Sequence, residues 1–263
     1  MDFGLKGKSV IVTASSKGLG RAVAETFAKE GAKVLISSRN EESLKIAAND
    51  IIHKANNQDV HYYVCDLRNP DSIQQLVEQA VSLYGTVDCL VNNAGGPPAG
   101  GFESFSDEEW IKAFEQNLLS YVRCIRHVLP HMKKQKNGRI VNIASSSIKQ
   151  VIDNLILSNT FRAGVAGLSK SLSSELAKYN ILINTVGPGR IATDRVRELD
   201  QIRANELNIS LEEQIKNMEQ LIPIGRYGSP EEFAKVVVFL CSQANTYMTG
   251  QSLIIDGGMV KAL

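Results

Sequence analysis

Short apolar, β-branched runs alternate along the chain with longer segments whose apolar residues recur at three- and four-residue spacing. Residues 10–13 precede a helical pattern over 19–29, 33–37 precede 41–52, and 60–65 precede 71–83. The alternation continues with 87–92 before a helix over 107–132 and 139–143 before a helix around 163–178; 181–186 and 252–255 complete about seven strands. Several strands are apolar at successive residues, so both of their faces are covered, which predicts a parallel sheet with helices on each side. Right-handed crossovers then predict an α/β, doubly wound sheet that takes ligands at the carboxyl ends of its strands. The polar stretch 194–220 carries Val196, Leu199 and Ile202 at helical spacing. It is long for a connection and reads as a substrate lid or as a solvated helix pair.

Length changes this picture little: 263 residues suit one domain over 1–263. With 29 Lys and Arg against 28 Asp and Glu, the formal charge is +1. No global field draws such a chain to nucleic acid or an anionic membrane, so a small molecule is the expected partner. Cys65, Cys89, Cys124 and Cys241 are widely spaced, without a CxxC pair or Cys/His metal-ligand spacing, and read as reduced buried thiols. Residues 1–8 enter the first strand without an apolar leader, and no apolar run reaches the ~20 residues of a spanning helix, so a cytoplasmic protein is expected.

The motifs fall just after strands. Thr13-Ala-Ser15-Ser16-Lys17-Gly18-Leu19-Gly20 closes the first strand and opens the first helix, where backbone N–H groups can receive a pyrophosphate and two glycines allow close approach. A glycine-containing strand-to-helix turn is also a common structural necessity, so the loop counts mainly through its place in the first βα unit.

Over nearly its whole length the chain resembles the short-chain dehydrogenase/reductase family, nearest a 3-oxoacyl-acyl-carrier-protein-reductase-like or glucose-dehydrogenase-like branch. That family carries TGxxxGxG where this sequence has Ala14 for the first glycine. The run Val-Asn92-Asn93-Ala94-Gly95 resembles its NNAG signature, and Pro188-Gly189-Arg-Ile191-Ala-Thr193 its PGxxxT segment along the nicotinamide. Pro223 to Arg226, Ser229-Pro230-Glu-Glu and Asp256-Gly257-Gly258 match its carboxyl-terminal pattern. The resemblance implies a Rossmann fold, with Asp66 and Leu67 beside the adenine. The second strand ends in Ser37-Ser38-Arg39, without the carboxylate that would bind the ribose 2′-hydroxyl of NAD. Arg39 and Lys17 stand where NADP-specific members place cations, which implies NADP(H), with charge-assisted hydrogen bonds to its 2′-phosphate. Two solvated surface cations are the alternative.

The match breaks at the catalytic centre, where the family uses Ser, YxxxK and a supporting Asn. Ser145 and Asn117 stand at the serine and asparagine positions. Thirteen residues after Ser145 the expected tyrosine is Ser158, and four residues later the expected lysine is Arg162, in Ser158-Asn-Thr-Phe-Arg162-Ala163-Gly164. A phenol of reference pKa about 10 can be tuned toward neutrality, whereas an aliphatic hydroxyl is a much poorer acid. Arg162 keeps the positive charge in a different, forked geometry.

Two readings follow: an NADP(H)-dependent oxidoreductase acting on a small carbonyl or alcohol with its proton donor unassigned, and an NADP(H)-binding protein without turnover, acting as a sensor or partner subunit. A lyase or isomerase that uses the polarising serine is a third. Lys149 and Asp153, between Ser145 and Ser158, are candidate alternative proton donors or plain solvated charges. His127 and His131 share a helical face but flank Pro130, expected at a helix end, and read as structural, so no metal site is expected. Leu118, Leu119, Val122 and Leu168 exceed what one core stripe needs, and in the family those helices pair between subunits, which implies a homodimer or homotetramer.

Overall fold

The computed structural model describes residues 2–262; Met1 and Leu263, the ends of the 1–263 unit, lie outside the described residues. Seven strands form one sheet in the order β3-β2-β1-β4-β5-β6-β7, every pair parallel. They are β1 (Ser9–Val12), β2 (Lys33–Ser38), β3 (Val60–Val64), β4 (Cys89–Asn92), β5 (Gly138–Ile143), β6 (Ile181–Pro188) and β7 (Ser252–Ile255). Between them run α1 (Gly18–Lys29), α2 (Glu41–Ala55), α3 (Pro70–Tyr84), α4 (Asp107–Phe114), α5 (Ser120–Gln135), α6 (Ile156–Leu176), α7 (Asp194–Leu207), α8 (Leu211–Leu221) and α9 (Pro230–Cys241). The direction of winding reverses between β1 and β4, which creates a crevice at their carboxyl ends.

The unbroken apolar strands are explained by two cores. One packs α1, α2 and α9 on one face around Phe27, Leu44 and Phe233; the other packs α3, α5 and α6 around Leu76, Tyr121 and Val165. Helix starts are set by side-chain caps: Asn69 before Pro70, and reciprocal Ser–Glu boxes at Ser106–Glu109 and Ser229–Glu232. Among the described residues no helix is long and apolar enough to cross a membrane.

Three expectations need correction. The single helix over 107–132 is α4 and α5 joined by a π-helical turn, Glu115–Leu119. At this turn Asn117 Nδ2 donates to the Ala113 carbonyl (3.2 Å), and Ser120 Oγ, at the start of α5, to that of Gln116 (2.6 Å); such competition for backbone acceptors loosens a helix. Pro130 sits within α5, which continues to Gln135. Finally, α6 starts seven residues before 163, because Leu157 and Phe161 extend its buried stripe onto an aromatic cluster with Trp110 and Phe114.

Candidate active site

The crevice at the β1/β4 switch point is laced together by side chains from both strand ends. Thr13 Oγ1 donates to the Asn93 carbonyl (2.7 Å) and accepts from Asn93 N–H (2.8 Å), while Asn93 Nδ2 donates to the Ala14 carbonyl (3.0 Å). Ser15 Oγ donates to the Val12 carbonyl (2.6 Å), and its own N–H bonds the Ser37 carbonyl. Ala14 takes φ +46°, the left-handed region that glycine adopts more readily, so the turn keeps the shape of a glycine turn at the cost of some strain. A Cβ on Gly20 would lie 2.7 Å from both the Ala14 oxygen and Asn93 Nδ2, so only glycine lets α1 start this close to the strand ends.

An anion is the ligand this end of α1 suits. Its N-cap residue, Lys17, supplies no side-chain cap, so the first-turn N–H groups beside Gly18 and Leu19 remain to receive one, with the positive end of the helix behind them. Ser16 is half-buried in the same loop. Lys17 and Arg39 are exposed; Lys17 Nζ lies 3.6 Å from Asp194 at the start of α7. Ser38 ends β2 with its hydroxyl turned to the Asn40 carbonyl (3.4 Å), and no carboxylate takes its place. Asp66 is gripped by Arg68 Nε (3.2 Å) and Nη2 (2.8 Å). That guanidinium holds its carboxyl below the usual range, and the Arg39 charge adds to the effect. Leu67 is buried beside it. The residues of this crevice thus fit a phosphorylated dinucleotide.

The chain matches a family model described as enoyl-(acyl carrier protein) reductase over residues 13–260. It is 37% identical over 261 residues to the 3-oxoacyl-[acyl-carrier-protein] reductase of Thermotoga maritima, covering 97% of this chain and 99% of the relative. It is also 37% identical over 257 residues to the Escherichia coli protein of that name, covering 97% and 98%. The chain belongs to the short-chain dehydrogenase/reductase family. Among solved structures, L-sorbose reductase of Gluconobacter frateurii, complexed with NADPH and L-sorbose, superposes with a TM-score of 0.94 at 33% identity, each chain fully covered (100%). A variant actinorhodin polyketide ketoreductase with NADPH gives 0.92 at 33% identity, covering 96% of this chain and 97% of that one.

Ser158 and Arg162, expected to stand for the family's tyrosine and lysine, lie one turn apart in α6, 8% and 4% exposed. Arg162 is planted at the carboxyl ends of β4 and β5: Nη1 donates to the Ile143 carbonyl (2.9 Å) and the Tyr121 hydroxyl (2.8 Å), and Nη2 to the Ala94 carbonyl (3.2 Å). Ser145, half-buried, follows β5 and accepts from the N–H of Ser147 (3.1 Å). Asn117 is buried in the π-helical turn, and its Oδ1 has no partner among the described residues. Gln116 Nε2 reaches the Gly95 carbonyl (3.0 Å), so the same turn braces the loop after β4.

The remaining wall starts at Pro188. Gly189 passes so close to Asp256 that a Cβ would collide with it, Ile191 is buried, and Thr193 caps α7 by accepting from Val196 N–H (3.4 Å). The 194–220 stretch is a helix pair, α7 and α8, and α7 is tied to the loops that follow β4 and β6: Arg195 Nη2 donates to the Pro97 carbonyl (2.7 Å), and fully buried Asp200 accepts from Arg190 Nη1 and Tyr227 OH, both at 2.8 Å. Lys149 and Asp153 are exposed. Sequence reasoning missed Tyr121, Asp200 and Tyr227. Their partners lie 10 to 41 residues away along the chain, and a lone tyrosine or aspartate carries no local signal of that.

Proposed function

We propose that the protein is an NADP(H)-dependent oxidoreductase that moves hydride between the nicotinamide and a small carbonyl or alcohol substrate through a non-standard centre. The observation that carries the reading is Arg162, a buried cation anchored to the carboxyl ends of β4 and β5 where the family holds the nicotinamide ribose. The cofactor, when bound, supplies or accepts the hydride. Lys17 and Arg39 pair with its 2′-phosphate and the start of α1 takes the pyrophosphate, while Asp66 and Leu67 flank the adenine. Asn93, Ala94 and Gly95 border it from β4, and Pro188, Gly189, Ile191 and Thr193 from β6. NADPH is the cofactor named for both structural relatives, which supports this choice.

Of the centre's residues, Ser145 polarises the substrate oxygen, Asn117 holds a water through its unpartnered oxygen, and Arg162 orients the ribose. Ser158 contributes a hydroxyl of low acidity, so the proton reaches the product oxygen through water or a group on the substrate side. The α7–α8 pair forms the substrate lid. Leu118, Leu119, Val122 and Leu168, expected to exceed one core stripe, are half-buried, Leu118 and Leu168 against the core, so support for a homodimer or homotetramer rests on the family resemblance and on Ile111, exposed on α4.

Absorbance assays of NADPH oxidation against 3-oxoacyl thioesters, ketoses and simple ketones, run beside a calorimetric titration, test the reading. Turnover of any class supports it. Tight NADPH binding with no turnover favours the alternative, a binding protein whose Ser158 has ended proton delivery, and absence of binding sinks both.

A further inference from the structure

We propose that Tyr121 is a positioning residue for Arg162, and that the two form one unit that makes arginine, rather than lysine, the cofactor-holding cation of this centre. The proposal rests on the cofactor reading above. Tyr121 is 1% exposed, on α5, the element after the π-helical turn that carries Asn117, and so it does not itself reach a ligand in the crevice. Its hydroxyl donates to the Ile143 carbonyl (2.8 Å), which leaves its lone pairs to accept from Arg162 Nη1 at 2.8 Å. Burial pushes the phenol's pKa up, so it stays a neutral donor and acceptor and the direction of both bonds is set.

The three acceptors of Arg162 are a phenol and two backbone carbonyls, all neutral. A cation taken from water with no carboxylate among those acceptors is costly, and the site tolerates it only because each bond is well formed. These bonds use three of the five N–H groups of a guanidinium and span both of its terminal nitrogens. The fork is therefore fixed in rotation, with the remaining Nη2 and Nε hydrogens aimed by the others. A lysine has only three donors, all on one atom, so meeting Tyr121 OH and the Ile143 and Ala94 carbonyls would use every one and leave none for the ribose. The Tyr121 ring also lies beside the guanidinium, 5.8 Å from centroid to carbon, at the outer limit of a cation–π contact.

The test is a calorimetric titration of the full-length protein with NADPH and, separately, with adenosine 2′,5′-bisphosphate, which keeps the adenine half of the cofactor and lacks the nicotinamide ribose. Tyr121→Phe keeps the ring and the packing, and the Ile143 carbonyl still accepts from Arg162 at 2.9 Å. The expected result is NADPH binding weakened about five- to tenfold, the scale of one lost bond to a charged group, with the bisphosphate changed by less than about twofold. In an Arg162→Met background the same change should add nothing, and Arg162→Lys serves as the second background should the methionine variant fold poorly. Unchanged NADPH affinity, equal weakening of both ligands, or an equal effect without Arg162 would each overturn the proposal while leaving the cofactor reading intact. If the unsubstituted protein bound neither ligand, both would fall together.

Discussion

Replacing Asp200 with alanine removes the buried carboxylate that fastens α7 to the body of the domain. Asp200 is fully buried; Arg190 takes one oxygen and Tyr227 the other, both at 2.8 Å. Removing one partner of a buried pair costs ~3–5 kcal/mol. Because the Arg190 side chain is 22% exposed and can turn toward water, a loss just below that range, about 2–3 kcal/mol, is expected here. Most of that loss should be local. Neither α7 nor α8 contributes a residue to the two sheet cores, so the pair can open without unfolding the rest.

Amide hydrogen exchange read segment by segment is the assay. In Asp200→Ala, amides of α7 and α8 should exchange about 30–150-fold faster, the kinetic equivalent of that loss, while β4 and β5 keep their protection. Asp200→Asn, which keeps the volume and one acceptor oxygen, should fall in between. Exchange in α7 and α8 unchanged by alanine would refute the latch. The same triad has a pH signature. Burial, reinforced by the Asp200 carboxylate, raises the Tyr227 hydroxyl pKa well above its usual value. A raised native pKa stabilises fully below the unfolded value of about 10 and progressively less as pH climbs above it. Protection of α7 should therefore decline above about pH 10, and Tyr227→Phe should flatten that decline.

Arg39→Ala should weaken NADPH by about 1–2 kcal/mol and leave NADH nearly unaffected, with an effect that shrinks as salt rises because Arg39 is exposed; calorimetry giving NADH equal or tighter binding in the unsubstituted protein would contradict this. Gly20→Ala should cost about 1–3 kcal/mol in urea denaturation and sharply reduce NADPH binding, since its methyl has no room beside Ala14 and Asn93. The double change Ser158→Tyr with Arg162→Lys should raise carbonyl reduction more than the two single changes combined, and adding Tyr121→Phe should raise it further by relieving the lysine of an acceptor built for arginine. Analytical ultracentrifugation should find a dimer or tetramer at micromolar concentration, and a clean monomer would leave Ile111 without a burial partner.

The sheet, its parallel sense and the place of the glycine loop were determined by the sequence alone. Two-faced apolar strands can be buried only between helix layers, and a short run of strand, glycine turn and helix has one way to present its N–H groups. Ser145, Asn117, Ser158 and Arg162 were singled out by the family resemblance, each at a set distance from a matching motif, and the structure gathers Asn117, Ser145 and Arg162 near the ends of β4 and β5. The absence of a carboxylate at Ser38 was equally plain. Helix limits around the centre were not: the π-helical turn depends on Asn117 and Ser120 competing for particular carbonyls, and the early start of α6 depends on Trp110 and Phe114 lying across from Phe161. Only the tertiary structure decided what Arg162 touches. Tyr121, Ile143 and Ala94 come from three elements 41, 19 and 68 residues away, and no local pattern encodes that meeting. The Asp200 latch is of the same kind. A buried charge acquires its meaning from partners that the fold brings to it, and those partners leave no period or spacing in the chain to read.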